Sequence, residues 1–125
     1  MMLADIMSRI GIGVTLIVSG VTHTYLYIHG YQHIPTVGAA FMVQAGISFA
    51  IAVLILVGGP GWLRWAAAIV AGGSLVAFAL SRSVGLFGFS ESGWQPSPQA
   101  AVSVVAELLT VGLCAAYLIE GRRAK

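Results

Sequence analysis

The sequence predicts an all-α protein: an integral membrane four-helix bundle built as two antiparallel hairpins, with both termini cytoplasmic. Three observations carry that expectation. The chain has 125 residues, of which 58% are hydrophobic and only 8% charged, and its mean hydropathy is +0.94. A soluble domain needs about a quarter charged residues to cover its surface. Apolar runs fall at about 10–28, 36–57, 63–81 and 98–119, each close to the roughly 20 residues that cross a bilayer core. The basic residues are unevenly placed: Arg9 precedes the first run, Arg64 opens the third, and Arg122, Arg123 and Lys125 follow the fourth, while only Arg82 falls on the other face. Under the positive-inside rule, the termini and the 2–3 connection face the cytoplasm, giving a multi-pass inner-membrane protein, N-in and C-in. The net charge of +2 is then a topology signal, and no nucleic-acid partner is expected. One membrane domain covers residues 1–125.

Span 1 has the flavour of a signal segment, Arg9 followed by an apolar run. No small-x-small cleavage site follows it, so the segment is expected to be retained. Gly11, Gly13 and Gly20 give this helix a smooth face for a close neighbour. Gly-x-Gly at 11–13 follows no strand and is no nucleotide fingerprint. Pro35 marks the entry to span 2, since proline suits a first helical turn and pushes its predecessor out of α geometry. "GGPGW", Gly58–Trp62, is a tight turn into span 3, whose "AAAIVAGGS" stretch (Ala66–Ser74) is again smooth. Ser97 and Pro98 read as N-cap and first helical residue of span 4. Tyr25, Tyr27 and Tyr31 at one interface and Trp62 and Trp65 at the other suit anchoring rings. The lone Cys114 leaves no disulfide and no Cys-x-x-Cys pair, which excludes thiol–disulfide membrane chemistry.

The polar side chains are few and patterned. On span 4, Gln99, Ser103, Glu107, Thr110, Cys114 and Tyr117 recur at spacings of three and four and so share one stripe. Span 1 supplies Thr15, Ser19, Thr22 and His23, span 2 Gln44 and Ser48, and span 3 Ser74. At 1.5 Å per residue, His23, Ser74, Gln44, Ser19 and Glu107 all fall about 8–14 Å below the outer end. Agreement in depth points to an interior polar site in the outer half of the bundle, with His23, Gln44 and Glu107 as its floor. Glu107 stands apart, because a carboxylate near mid-bilayer costs several kcal/mol unless paired, hydrated or protonated; His23 and Arg82 are its candidate partners. Serine and threonine can equally bond their own helix backbone, and Gln44 can simply join two helices.

The 82–97 connection is too apolar for a solvated linker. Leu86, Phe87, Phe89 and Trp94 fold it over the bundle as a lid, with Gly85 and Gly88 at the bends; an inert interfacial anchor is the other reading. Tyr27, Tyr31, Arg82, Glu91 and Trp94 then form the rim and lid of the site. All three histidines, His23, His29 and His33, lie in one stretch but at spacings of six and four, so they share no helix face. A haem held by His23 and Met42, a loop zinc or copper site from His29, His33 and Glu91, and a plain interfacial polar loop all remain open, the last favoured.

"GVTHTYLYIHGYQHIPTVGAAFMVQAG" with "LSRSVGLFGFSESGWQPSPQAAVSVVAELL" resembles a group of small actinobacterial four-span membrane proteins of unassigned function. The matching residues are His23, Gly30, Tyr31, Ile34, Pro35, Thr36, Gly38, Gln44, Gly85–Phe89, Glu91 and Glu107. Size and topology are similar, more loosely, to the DoxX-like proteins, some of which belong to quinone-linked oxidoreductase assemblies. Small multidrug exporters also have four short spans and a buried glutamate, but on the first helix, whereas Glu107 is on the fourth.

The expected function is non-catalytic: a ligand-binding or accessory subunit of a larger membrane complex, assembled with other membrane subunits or as a self-dimer. The alternatives are a proton-coupled small-molecule transporter using Glu107, with Thr15 and Cys114 as its inner path, and a redox subunit holding haem or quinone at His23. A cysteine placed at Ser92 should react with an impermeant maleimide on intact cells; protection there, with labelling near Arg123, would invert the topology.

Overall fold

The computed structural model describes residues 3–123 of the chain, with side chains described up to residue 120. The side chains of Arg122, Arg123 and Lys125, which weigh in the topology argument, lie outside the described residues. Four long helices form: α1 (Leu3–Ile28), α2 (Val37–Leu56), α3 (Leu63–Ser81) and α4 (Gln99–Arg123), with a 3₁₀ turn at Tyr31–His33. All four are long and apolar enough to cross a membrane. Large apolar side chains are exposed on every helix, among them Ile17, Val53, Ile69 and Leu108. Such a surface is a liability in water and suits contact with lipid chains.

α1 packs against α2 and α4, and α3 packs against α4 and, less extensively, α2. Small residues on α1 make the first contact close: a Cβ at Gly13 would lie 2.7 Å from Leu56 and one at Gly20 2.9 Å from Phe49. The apolar core is not central along the bundle axis. Ile12, Leu16, Ile51, Ala52, Ile55, Leu63, Ala67 and Cys114 form it, and they fill the half nearer the start of α1 and the α2–α3 turn.

Two boundaries differ from expectation. α1 begins at Leu3 rather than near Ile10, because its first turns are held by charge rather than by apolar periodicity. α4 begins at Gln99, so Pro98 sits in the cap position: the Pro98 carbonyl accepts from Val102 N at 3.0 Å and the Pro96 carbonyl from Ala100 N at 2.8 Å. Proline lacks the N–H that a helix start leaves unused anyway.

The charge that holds α1 is a cluster around one buried arginine. Arg64, only 1% exposed, donates to Asp5 Oδ1 at 2.8 Å and to Ser8 Oγ at 3.1 Å, and its guanidinium lies 3.7 Å from the centre of the Tyr117 ring. The Tyr117 hydroxyl also donates to Asp5, at 2.8 Å. Arg9 pairs with Asp5 Oδ2 at 2.9 Å and donates to the carbonyls of Ile55 and Gly59 at 3.1 and 2.8 Å. The Ile55 carbonyl lies in the last turn of α2, where a cation is favoured, and the Gly59 carbonyl in the turn that follows. The cluster thus ties the start of α1, the α2–α3 turn, the start of α3 and the end of α4 at one end of the bundle.

Replacing Arg64 removes one of three partners of the Asp5 carboxylate, which keeps Arg9 and Tyr117. Arg64→Ala should cost roughly 2 kcal/mol of stability, because it takes charge-assisted hydrogen bonds to Asp5 and Ser8 out of a buried position. Adding Asp5→Asn should lower the melting temperature further in detergent, since Arg9 then loses its partner as well. An unchanged melting temperature in Arg64→Ala would show the cluster to be dispensable.

Candidate functional site

At the opposite end from the charge cluster the helices enclose a cavity of about 340 Å³, within the range of small-molecule sites. Every helix contributes to it: His23 and Leu26 from α1, Phe41 and Gln44 from α2, Gly73, Ser74 and Phe78 from α3, Ser103 and Glu107 from α4. Tyr31, Arg82, Leu86 and Phe89 close its end.

The floor is built around one serine. Glu107, 2% exposed, accepts at Oε2 from Ser19 Oγ at 3.0 Å and from Ser103 Oγ at 3.1 Å. Gln44 Nε2 donates to the same Ser19 hydroxyl at 2.9 Å. His23 Nδ1 lies 2.8 Å from the Ser19 carbonyl oxygen; a carbonyl only accepts, so Nδ1 carries the proton. That leaves Nε2 facing Glu107 Oε2 at 3.9 Å, beyond hydrogen-bond reach. The i, i+4 spacings Ser19–His23 and Ser103–Glu107 stack each pair on one helix face, which is why short side chains can reach.

The lid forms as a small hairpin. Leu86 and Phe89 exchange backbone hydrogen bonds of 2.7 and 2.8 Å, and the two residues between them, Phe87 (φ 50°) and Gly88 (φ 79°), both have positive φ. Such a two-residue turn matches the natural twist of a hairpin. It aims Leu86 and Phe89 into the cavity and leaves Phe87 69% exposed. Arg82 holds the lid down: Nε donates to the Gly93 carbonyl at 2.9 Å, Nη1 to Ser81 Oγ at 2.7 Å, and Nη2 to the Gln95 carbonyl, over the Phe78 ring at 4.0 Å. Partial burial pulls the Arg82 pKa below its ordinary value. Across the bundle the Tyr31 hydroxyl donates to Glu91 at 3.2 Å, and the Tyr31 ring stacks on Phe41 at 4.8 Å and meets Phe89 edge-on at 5.6 Å. The close seat of the 3₁₀ turn on α2 depends on Gly38, where a Cβ would fall 2.6 Å from the Tyr31 carbonyl oxygen.

Of the residues expected at the site, His23, Gln44, Glu107, Tyr31 and Arg82 line the cavity. Tyr27, Glu91 and Trp94 do not. On α1 it is Leu26 that faces inward; Glu91 stands behind Tyr31 as its acceptor, and Trp94 lies outside, 5.6 Å from the Phe78 ring that does line the wall. Arg82 is engaged by lid carbonyls rather than by Glu107, which corrects the expected pairing: the backbone oxygens of a tight loop offer it nearer acceptors. The three histidines are not brought together. His29 stacks on Tyr25 at 3.9 Å, His33 lies in the 3₁₀ turn, and no group of three metal-ligating side chains occurs among the described residues. The aromatic wall of Phe41, Phe78 and Phe89 has no signature in sequence, because its members come from three different elements.

Protein-family models, curated proteins and solved structures offer no match to this chain.

Burial first, and then the Glu91 charge, push the Tyr31 phenol up to about 12. A raised pKa favours the neutral phenol in the folded state. Its contribution is therefore complete below the ordinary tyrosine value near 10 and is lost as pH rises towards 12. In ultraviolet difference titrations with Tyr31→Phe as the assignment control, Glu91→Gln should lower this midpoint while leaving it above the ordinary value. An unmoved midpoint would mean that the hydroxyl does not meet Glu91.

Proposed function

We propose that this protein is a small-ligand-binding membrane protein, the binding or accessory subunit of a larger membrane assembly, and that its ligand occupies the cavity beneath the lid. One observation carries the reading: polar side chains from all four helices converge on one cavity among largely apolar helices. A buried carboxylate, an imidazole and an amide placed together in a bilayer are expensive, and a bundle needing only to fold would replace them with apolar packing. The uneven basic residues support an inner-membrane protein with both termini cytoplasmic, and so an outward-facing lid. Exposed apolar faces on all four helices leave room for partner subunits or a second copy.

The transporter reading is less well supported. Beyond Glu107 the polar chain continues to Thr15 and Thr110, whose hydroxyls lie 2.7 Å apart. Then the packed core of Ile12, Leu16, Ile55 and Cys114 intervenes between them and the charge cluster.

Purification in native-lipid nanodiscs, followed by extraction and mass spectrometry, should return a small amphipathic molecule at near-stoichiometric yield. Filling the cavity with Gly73→Phe, at a position where an added Cβ meets nothing within 4 Å, should abolish its recovery while the melting temperature is kept. A wild-type protein with nothing but bulk lipid would sink the reading.

A further inference from the structure

The polar groups around the cavity share an asymmetry that defines a ligand class. Each donor group on the wall already has an acceptor within the protein. Ser103 donates to Glu107, Ser74 to the Val70 carbonyl at 2.9 Å, and Ser81 to the Phe78 carbonyl at 2.7 Å. Tyr31 donates to Glu91, Arg82 to the lid, and His23 Nδ1 to Ser19. The atoms left over are acceptors. Gln44 Oε1 is fully buried and has no partner. Its assignment follows from Ser19: that hydroxyl gives its one proton to Glu107, so it can only accept from Gln44, which must present its amino group there. His23 Nε2 is a second free acceptor, and the Glu107 carboxylate, which already accepts from Ser19 and Ser103, keeps acceptor capacity to spare.

The carboxylate has no cation close by. Among the described residues its only candidate is the His23 ring at 3.9 Å; Arg82 is fixed at the lid. A group that both donates several hydrogen bonds and carries positive charge satisfies all three acceptors, and the walls of Phe41, Phe78 and Phe89 suit a cation bearing an apolar body.

The way in follows from which lining residues are exposed. Val43 on α2 is 58% and Ile69 on α3 71% exposed, yet both border the cavity, together with Ala40 and Gly73. These positions lie on the lipid-facing sides of apolar helices, so the gap between α2 and α3 opens sideways into the bilayer. The lid end is roofed by Leu86 and Phe89, and Arg82 ties the lid down through its carbonyls.

We infer that the cavity binds a lipid-soluble amine as its ammonium ion, admitted from the bilayer between α2 and α3. The inference rests on the ligand-binding reading above and gives it a chemical class. Decylamine and decanol, an ammonium and a hydroxyl on the same chain, are the probes, titrated calorimetrically at neutral pH into the full chain in zwitterionic nanodiscs, with empty nanodiscs subtracted. Decylamine should bind at least about tenfold more tightly than decanol. Glu107→Gln, which keeps the shape, should remove that preference and leave decanol unchanged. Association of decylamine should slow in Ile69→Trp and not change in Glu91→Gln, which loosens only the lid.

Equal affinities, or an amine preference that survives Glu107→Gln, would overturn the ammonium assignment while leaving a binding cavity. Faster association in Glu91→Gln with none of the slowing in Ile69→Trp would move the entrance to the lid. Failure of both probes to bind, in a protein that yields a native occupant by mass spectrometry, would overturn the ligand class alone; with no occupant either, the binding reading falls as well.

Discussion

Ser19 is the residue on which the candidate site depends. Its carbonyl orients the His23 ring, its hydroxyl proton goes to Glu107, and its oxygen lone pair receives Gln44. Three helices therefore meet through one small side chain. In a bilayer no water is available to replace a lost partner, so these contacts set the relative rotation of α1, α2 and α4. Hydrogen bonds between membrane helices are individually modest. What they supply here is register: Glu107 cannot turn outward without leaving Ser19 and Ser103 without their acceptor.

The two halves of the bundle are stabilised by different physics. At the end where α1 starts, Asp5, Arg9, Arg64 and Tyr117 form a charged clamp, and an apolar plug packs directly above it. At the lid end the packing is left incomplete and the polar groups are left partly unsatisfied. The packed core thus lies at one end of the bundle and the cavity at the other.

The lid belongs to the same design. A non-glycine residue at positive φ, Phe87, is unfavourable, and it is tolerated where it turns Leu86 and Phe89 inward over the cavity. Arg82 fastens the loop through backbone oxygens. Of the residues quoted for the motif resemblance, His23, Tyr31, Gln44, Leu86, Phe89 and Glu107 border the cavity, whereas Gly30, Ile34, Pro35, Thr36, Gly38 and Glu91 do not.

Much of this was legible in the order of residues. Four apolar runs of the right length determine four helices, because a bilayer accepts little else. The three-and-four spacing on span 4 determined that Ser103, Glu107, Thr110 and Cys114 face inward, since 100° per residue leaves them no other face. Equal depth put His23, Gln44 and Glu107 at one level. Only the tertiary structure decided the rest. Arg64 reads as a topology marker, yet it is buried against Asp5 and Tyr117, partners 59 and 53 positions away in the chain. Arg82 looked available to Glu107 until the folded lid offered nearer oxygens. Which acceptors stay unpartnered, and that the cavity opens between α2 and α3, depend on distances between helices. Periodicity fixes where a side chain points on its own helix; it carries no information about how far away the neighbouring helix stands.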